Sequence, residues 1–448
     1  MTAGATTALR EARDREDTRR NFYALLWHGA FLALGVSLTQ PTTVISAFVA
    51  DLTGSTVWVG GLSTVLTVAG TLPQLFVARW IEPRPRKMGY LLAAIYLRVA
   101  SWATLAVLIY LIGASHPRLL AWALVGLLAL FYAGGGLGGV PYTDIVGKVI
   151  PPNRRGAFFG GQQALAGPLA MGAALLARHI LATAPYPDGY ALLFGLAAAA
   201  LLVASAGFWA VREPPRADAD GRVRPWREYR SQLARAARRL RTLVGIQLLT
   251  GFSLMALPFY VVYAREKLGA PLEAVGWFLL AQVVGGVLSN LAWARLVDRY
   301  GSHRMLAACA TVSALTPLLA IGMGRLGWVG MLPVLFLGGA VFNGRAVGFN
   351  SAVLELAPDA ERPTYAALDA VLALPVAFLP LVGGTLLRSW SYPALFLLAS
   401  AFIGVGAVLA GREQGAGEQG AGEQGSKEQR SEGALGGEGE DGKTFVEG

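Results

Sequence analysis

The sequence predicts an all-α integral membrane protein whose twelve transmembrane helices form two pseudo-symmetric bundles of six. Composition is the first observation behind this fold class: 54% of the 448 residues are hydrophobic and 15% are charged, with a mean hydropathy of +0.49. A soluble domain usually carries about a quarter charged residues, so a cytosolic protein is excluded. The second observation is a series of apolar stretches of spanning length, and the third is an internal duplication.

The apolar stretches are separated by short polar or Gly/Pro-rich segments. A transmembrane helix needs roughly 20 mostly apolar residues, so the chain has room for twelve of them and their loops. The pattern predicts helices at residues 22–50, 57–79, 88–113, 119–141, 157–182, 189–211, 242–264, 272–294, 304–323, 328–350, 364–387 and 393–411.

The remaining segments divide the chain into five parts. Residues 1–21 form a charged N-terminal arm, which we expect to be uncleaved and cytoplasmic because the next apolar stretch is too long for a signal-peptide core. Six helices follow in 22–211 and six more in 242–412. The linker between them, 212–241, holds ten arginines and ends in an amphipathic helix that we expect to lie on the membrane. Residues 413–448 are an acidic low-complexity tail expected to be disordered.

Lysine and arginine are concentrated on one side of the predicted membrane. With the N-terminus inside, the inner segments hold about 30 of the 38 basic residues, as the positive-inside rule requires. We therefore expect a multi-pass cell-membrane protein with both termini cytoplasmic. The formal charge of +10 is explained by this topology, so we expect membrane lipids and no nucleic acid as partners.

Two segments of the second half repeat segments of the first half. Residues 78–87, after the second predicted helix, align with 294–304, after the eighth, at an offset of 216 that also superposes Gly60 on Gly276. A second pair of segments, after the fourth and tenth helices, aligns at an offset of 207. These offsets indicate two similar six-helix halves in parallel orientation.

The repeated loops carry a family resemblance. Segment 294–304 resembles the loop signature of the major facilitator superfamily, G-x-x-x-D-[RK]-x-G-R-[RK], through Asp298, Arg299 and Gly301. Residues 148–160, KVIPPNRRGAFFG, are similar to the loop after the fourth helix in that superfamily. The resemblance covers nearly all of the helical part and assigns no subfamily.

The resemblance implies a gate at the cytoplasmic helix ends, in which Glu82 and Asp298 hold the outward-facing state. A carboxylate and several cations at adjacent helix ends can pair in one state and separate in another. Plain positive-inside anchoring is the alternative for the basic residues that follow Glu82. The candidate gate residues are Glu82, Arg86, Asp144, Arg155, Asp298, Arg299 and Arg362.

Ionisable residues inside predicted helices are costly in a bilayer and are therefore candidates for function. Arg98 lies near the middle of the third helix, where it pairs across helices, binds an anionic group of a substrate or extends toward the interface. The resemblance places third helices away from the central cavity. Asp369 either carries a coupling proton or pairs with Arg345 or Arg362. The candidate substrate or cavity residues are Arg98, His28, Gln40, Gln247, Gln282, Asn290, Asn343 and Arg345.

Motifs of catalysis are missing from the sequence. The glycine-rich segments lack the Lys-Ser or Lys-Thr of a phosphate-binding loop, the four histidines are dispersed, and Cys309 is the single cysteine. We therefore expect no enzyme, no cofactor and no metal site.

The function implied by the resemblance is secondary active transport of a small solute by alternating access, with export of small organic or amphipathic compounds as the leading interpretation. A sugar or organic-anion carrier of the same fold is one alternative. A non-transporting sensor, assembly partner or lipid-moving protein is another. We expect a monomer with a small-molecule substrate, and protons are a candidate coupling ion.

Overall fold

The structure is a computed structural model that describes residues 3–81, 84–113, 115–151, 154–214, 226–358 and 362–412. These residues form helices and contain no β-strand. The predicted tail and residues 215–225 of the predicted linker lie outside the described residues.

Seven helices make up the N-terminal half. The first of them continues without a break from the charged arm into the first membrane span. A π-helical turn at Pro41–Ile45 interrupts that span, because proline has no N–H to donate to the preceding helical turn. The helices are α1 (Ala3–Leu38), α2 (Ser46–Thr53), α3 (Thr56–Ile81), α4 (Met88–Ile112), α5 (Pro117–Val149), α6 (Arg155–Thr183) and α7 (Asp188–Ala210).

Seven further helices make up the C-terminal half. They are α8 (Trp226–Thr250), α9 (Phe252–Lys267), α10 (Ala274–Met323), α11 (Met331–Leu356), α12 (Arg362–Leu372), α13 (Leu379–Leu386) and α14 (Tyr392–Arg412). Three of the spans consist of two helices separated by a short break. These pairs are α1 with α2, α8 with α9, and α12 with α13.

The predicted number of twelve spans is confirmed. Eleven described segments are long and apolar enough to cross a membrane, and one of them, Ala274–Leu326, has 53 residues, more than twice the length that one span needs. Gly301, inside α10, adopts φ 80° and ψ 169°, a conformation that side chains other than glycine rarely adopt. This residue breaks α10 into the predicted eighth and ninth spans.

The amphipathic part of α8 packs on protein. Ala236, Leu240 and Leu243 are buried in a cluster with Phe349 of α11 and Tyr365 of α12. The sequence predicted a separate helix lying on the membrane, but α8 is continuous from Trp226 to Thr250. Because α8 continues directly into the seventh span, its apolar face packs against α11 and α12.

The two halves meet through two main helix pairs, α3 with α13 and α6 with the first part of α10. The N-terminal arm lies at the end of the bundle where α7 terminates, and we call this end the arm end. The opposite end, at which α2 meets α3, is the far end. The contacts between the halves described below cluster toward the far end.

Candidate functional site

A cavity of about 510 Å³ lies in the N-terminal half, between α1, α4, α5 and α6. Its lining extends from Phe159, about one turn from the arm end of α6, to Val36 and Gly134 near the middle of the bundle. The volume suits a small organic molecule. The polar side chains of the lining are those of His28, Arg98, Tyr142, Gln162 and Gln163.

Arg98 reaches this cavity from α4 because the facing part of α5 has no side chains. A Cβ at Gly134 would lie 2.8 Å from Cγ of Arg98, and a Cβ at Gly135 would lie 3.8 Å from its Cζ. The glycine-rich stretch of α5 therefore leaves a channel for the arginine side chain. The third span, α4, which the family resemblance places away from the central cavity, thus contributes a cation to this cavity.

The Arg98 guanidinium has few interactions with protein. Its Cζ lies 4.3 Å from the ring centroid of Phe131, so one face of the cation is covered by an aromatic ring. Its Nε is buried and has no hydrogen-bond partner in the part of the chain that the structure describes. Among the described residues, no carboxylate forms a salt bridge with Arg98, and none of those lining the cavity is acidic. The cavity thus carries an uncompensated positive charge.

A hydrogen-bonded group forms the polar wall of the cavity. The Gln162 amide donates to the Tyr142 hydroxyl at 3.1 Å and to the carbonyl of Leu25 at 3.4 Å. His28 is buried, with its Nδ1 3.2 Å from the carbonyl oxygen of Ala204. These contacts tie α1 to α5, α6 and α7, and they hold the wall in place beside Arg98.

The C-terminal half contains a buried arginine, Arg345, and this one is satisfied by protein. Arg345 donates to the Thr250 hydroxyl and to the backbone carbonyl of Gln247 at 3.4 Å. The Gln247 side chain in turn hydrogen-bonds to Asp369. Asp369 therefore meets Arg345 only through Gln247, and its Oδ1 is buried without a hydrogen-bond partner in the described part of the chain.

The other predicted cavity residues lie outside the lining of this cavity. Gln282 donates to the Thr42 hydroxyl at 2.8 Å and so joins the two halves. Asn343 lies against Gly286 of α10. Gln40 precedes the π-helical turn, and Asn290 lies on α10.

At the far end, an ion pair connects the halves. Nη2 of Arg265 lies 2.8 Å and 2.9 Å from the two carboxylate oxygens of Asp51, and both side chains are about one-fifth exposed. The Tyr190 hydroxyl also donates to Asp51, at 3.4 Å. We call Asp51 and Arg265 the far-end ion pair.

Two glycines related by the internal duplication form close contacts between the halves. A Cβ at Gly60 would overlap the carbonyl oxygen of Pro380, and a Cβ at Gly276 would overlap the backbone of Arg178. Arg178 also covers the ring of Trp277, with its Cζ 4.5 Å from the ring centroid. The repeated glycine thus allows a close helix contact at both positions. It allows α3 to contact α13 and α10 to contact α6.

At the arm end, a buried charge network lies entirely within the N-terminal half. Asp144 forms salt bridges with Lys87 at 2.8 Å and with Lys148 at 2.7 Å. Lys148 also pairs with Glu213 at 2.9 Å. The Glu213 carboxylate accepts the backbone N–H groups of Lys87 and Met88, each at 2.9 Å, and so caps the N-terminus of α4.

The remaining gate candidates lie apart. Asp298 and Arg299 are exposed, and Arg299 contacts the ring of Tyr300. Arg155 donates to the carbonyls of Ile150 and Gly147 near the C-terminus of α5. Arg86 is exposed. Glu82 and the side chain of Arg362 lie outside the described residues.

Comparison with known proteins gives one family match and several similar structures. Residues 243–432 match the family profile described as Major Facilitator Superfamily. The whole architecture is similar to a bacterial homologue of the iron transporter ferroportin in an inward-facing state, with a TM-score of 0.66 at 14% identity over 88% of this chain and 98% of that chain. The profile match covers less than half of the chain, and the structural similarity shows a shared fold.

Other solved transporters share the architecture. The nucleoside transporter NupG matches with a TM-score of 0.60 at 13% identity over 87% of this chain and 97% of that chain. A POT family transporter in complex with a thioalcohol-conjugated peptide matches with a TM-score of 0.64 at 14% identity over 89% and 96%. No curated protein matches the chain. The chain therefore has the fold of these solved transporters, and its C-terminal part matches the superfamily profile.

Two residues of the ion pairs described above were missed by sequence reasoning. Glu213 was not singled out, although an acid directly after the sixth span and inside a basic linker needs a partner. Asp51 was not singled out either. Its signal was its place at the end of the first span, which predicts a position beside Arg265 at the end of the seventh. Neither residue lies in a recognisable motif.

Proposed function

We propose that this protein is a secondary active transporter that moves a small organic solute by rocking of the N-terminal half against the C-terminal half, with the cavity of the N-terminal half as its binding site. The observation that carries the proposal is the arrangement of contacts. The far-end ion pair and the close contacts at Gly60 and Gly276 join the halves toward one end, while the cavity extends toward the other. Halves that are held together toward one end are what one state of alternating access requires.

The side from which the cavity is reached follows from charge. Basic residues are concentrated at the arm end, so we assign that end to the cytoplasm and the protein to the cell membrane. The structure then corresponds to an inward-facing state. In support, the ferroportin homologue matches with a TM-score of 0.66 in its inward-facing state and 0.55 in its outward-facing state. Solutes of the cytoplasm can enter such a cavity, as the export of small organic compounds requires.

Flux through purified protein tests the proposal. Proteoliposomes holding the full chain are loaded with radiolabelled small organic acids, amines and neutral compounds, and efflux is followed with and without a proton gradient. We expect at least one solute to leave faster than from empty liposomes. Movement of fluorescent lipid without solute would indicate a lipid-moving protein, and no flux of either would indicate a sensor or an assembly partner.

The far-end ion pair is expected to stabilise the contact between the two halves at the far end. Removing either charge leaves the other half-buried and unpaired. Asp51→Asn and Arg265→Gln should each lower the free energy of unfolding, and the double variant should lose less than the sum, with a coupling of about 0.5 to 3 kcal/mol. Denaturant titrations of the four proteins measure this coupling. Additive effects would show that the two charges do not support each other.

Asp369 is proposed as the residue that carries a coupling proton. It hydrogen-bonds to Gln247 and has no salt bridge with a described cation, so protonation breaks no ion pair. Asp369→Asn should abolish the effect of a proton gradient on efflux and leave solute exchange at equal pH intact. The Asp188→Asn variant, at the start of α7, is the control and should keep both activities. Loss of exchange as well would assign Asp369 to binding or folding.

A further inference from the structure

We propose that the cavity binds a small organic anion, a carboxylate or a similar acid with an apolar body, and that Arg98 binds its charged group. This inference rests on the proposed function, because it names the substrate class of the same cavity. It selects the anionic substrates among the organic solutes considered above.

The charge of the cavity is the first argument. A buried cation without a partner is costly, and such groups are normally paired with a carboxylate or bound to polar atoms. Arg98 has a buried Nε without an acceptor, and no lining residue supplies a carboxylate. An anion that enters the cavity would supply the missing charge, whereas a cation would be repelled.

The shape around Arg98 is the second argument. Phe131 covers one face of the guanidinium at 4.3 Å, and the backbone at Gly134 and Gly135 leaves room along its side chain. A guanidinium donates hydrogen bonds in its own plane, where a carboxylate binds with two parallel bonds. Stacking on the ring leaves that plane available and fixes its direction.

The rest of the lining fits the other part of such a ligand. Leu32, Val36, Ile95 and Ala166 give the cavity apolar walls, which favour an apolar body over a strongly hydrated one. The Tyr142 hydroxyl is a further polar group of the lining and is held by Gln162. The cavity therefore combines one cation with mostly apolar surface.

Arg345 provides a matched contrast within the same protein. It is also an arginine of a membrane helix, but its guanidinium donates to Thr250 and to the carbonyl of Gln247. It does not line the cavity. Substitution of Arg345 should therefore leave the charge preference of the cavity unchanged.

Direct binding of radiolabelled benzoate to the purified full chain tests the inference, with benzamide and benzylamine as competitors of similar shape and different charge. We expect benzoate to bind and benzamide and benzylamine to compete poorly. Arg98→Gln should weaken benzoate binding by about ten- to a hundredfold, the factor that corresponds to a lost charge-assisted hydrogen bond. Arg98→Lys, which keeps the charge without the planar pair of donors, should lie between. Arg345→Gln should bind benzoate as the unmodified protein does.

A second variant changes the space around the Arg98 side chain and keeps its charge. Gly134→Ala places a methyl group against Cγ of Arg98 and near the carbonyl of Ala94, so it should also weaken benzoate binding. Gly126→Ala on the same helix meets nothing within 4 Å and is the control.

The outcomes separate this inference from the proposed function. Absence of benzoate binding, equal binding of benzamide, or full binding by Arg98→Gln would overturn the anion assignment, and flux of another solute would still support transport. Benzoate binding that depends on Arg98, without flux of any solute, would support the anion site and contradict the transporter proposal.

Discussion

Replacing Gly60 with alanine is expected to separate the far ends of the two halves, whereas Gly61→Ala should leave them closed. The added methyl group at Gly60 would overlap the carbonyl oxygen of Pro380, and backbone atoms cannot rotate away. The same methyl group at Gly61 would lie 3.6 Å from Cδ1 of Leu381, an ordinary contact. The two variants add the same group to adjacent positions of α3, so their difference isolates the contact between the halves.

The expected effect of Gly60→Ala is large. Overpacking of a close contact costs about 1 to 3 kcal/mol, which shifts an equilibrium between two states by roughly 5-fold to 150-fold. The distance between spin labels at Leu119 and Leu326, exposed residues of opposite halves at the far end, measures the change in a protein whose Cys309 is replaced with alanine. We expect a longer distance in Gly60→Ala than in Gly61→Ala. Equal distances would show that this contact does not control closure.

Glu213→Gln is expected to cause the largest loss of stability among single substitutions at the arm end. The Glu213 side chain is 4% exposed and pairs with Lys148, and it accepts two backbone N–H groups at the start of α4. An uncharged amide cannot accept all of these bonds and leaves a buried ammonium group with one carboxylate fewer. We expect a loss of about 2 to 4 kcal/mol in the free energy of unfolding.

Denaturant titration of Glu213→Gln beside Glu16→Gln measures this effect. Glu16 is an exposed carboxylate of α1 at the same end, so its substitution should change the free energy of unfolding by less than about 0.5 kcal/mol. A small effect of Glu213→Gln would mean that water replaces its contacts and that the network does not hold α4, α5 and the chain after α7 together.

The number and order of the spans could be predicted from the sequence. Each span requires its own apolar stretch, and the break between the eighth and ninth spans is marked by Gly301, whose positive φ explains the glycine of the loop signature. The duplication also aligned Gly60 with Gly276 in the sequence. What it did not indicate is that both residues are contact points between the halves, because that depends on how closely the helices approach.

The site was less predictable, because its chemistry depends on contacts between distant segments. Arg98 was one of several candidates, and the family resemblance placed its helix away from the cavity. Its access depends on the register of Gly134 and Gly135 against α4, which a single sequence does not encode as a pattern. The far-end ion pair joins residues of different halves, Asp51 and Arg265, and neither belongs to a motif.

The central claim is that opening at the far end and closing at the arm end are one motion. Spin labels at Tyr90 and Tyr300, exposed residues of opposite halves at the arm end, test it in the same Gly60→Ala and Gly61→Ala proteins. The account predicts a shorter arm-end distance in Gly60→Ala, together with the longer far-end distance. An arm-end distance that is unchanged or longer would show that the far end merely loosens, and it would contradict alternating access by rocking of the two halves.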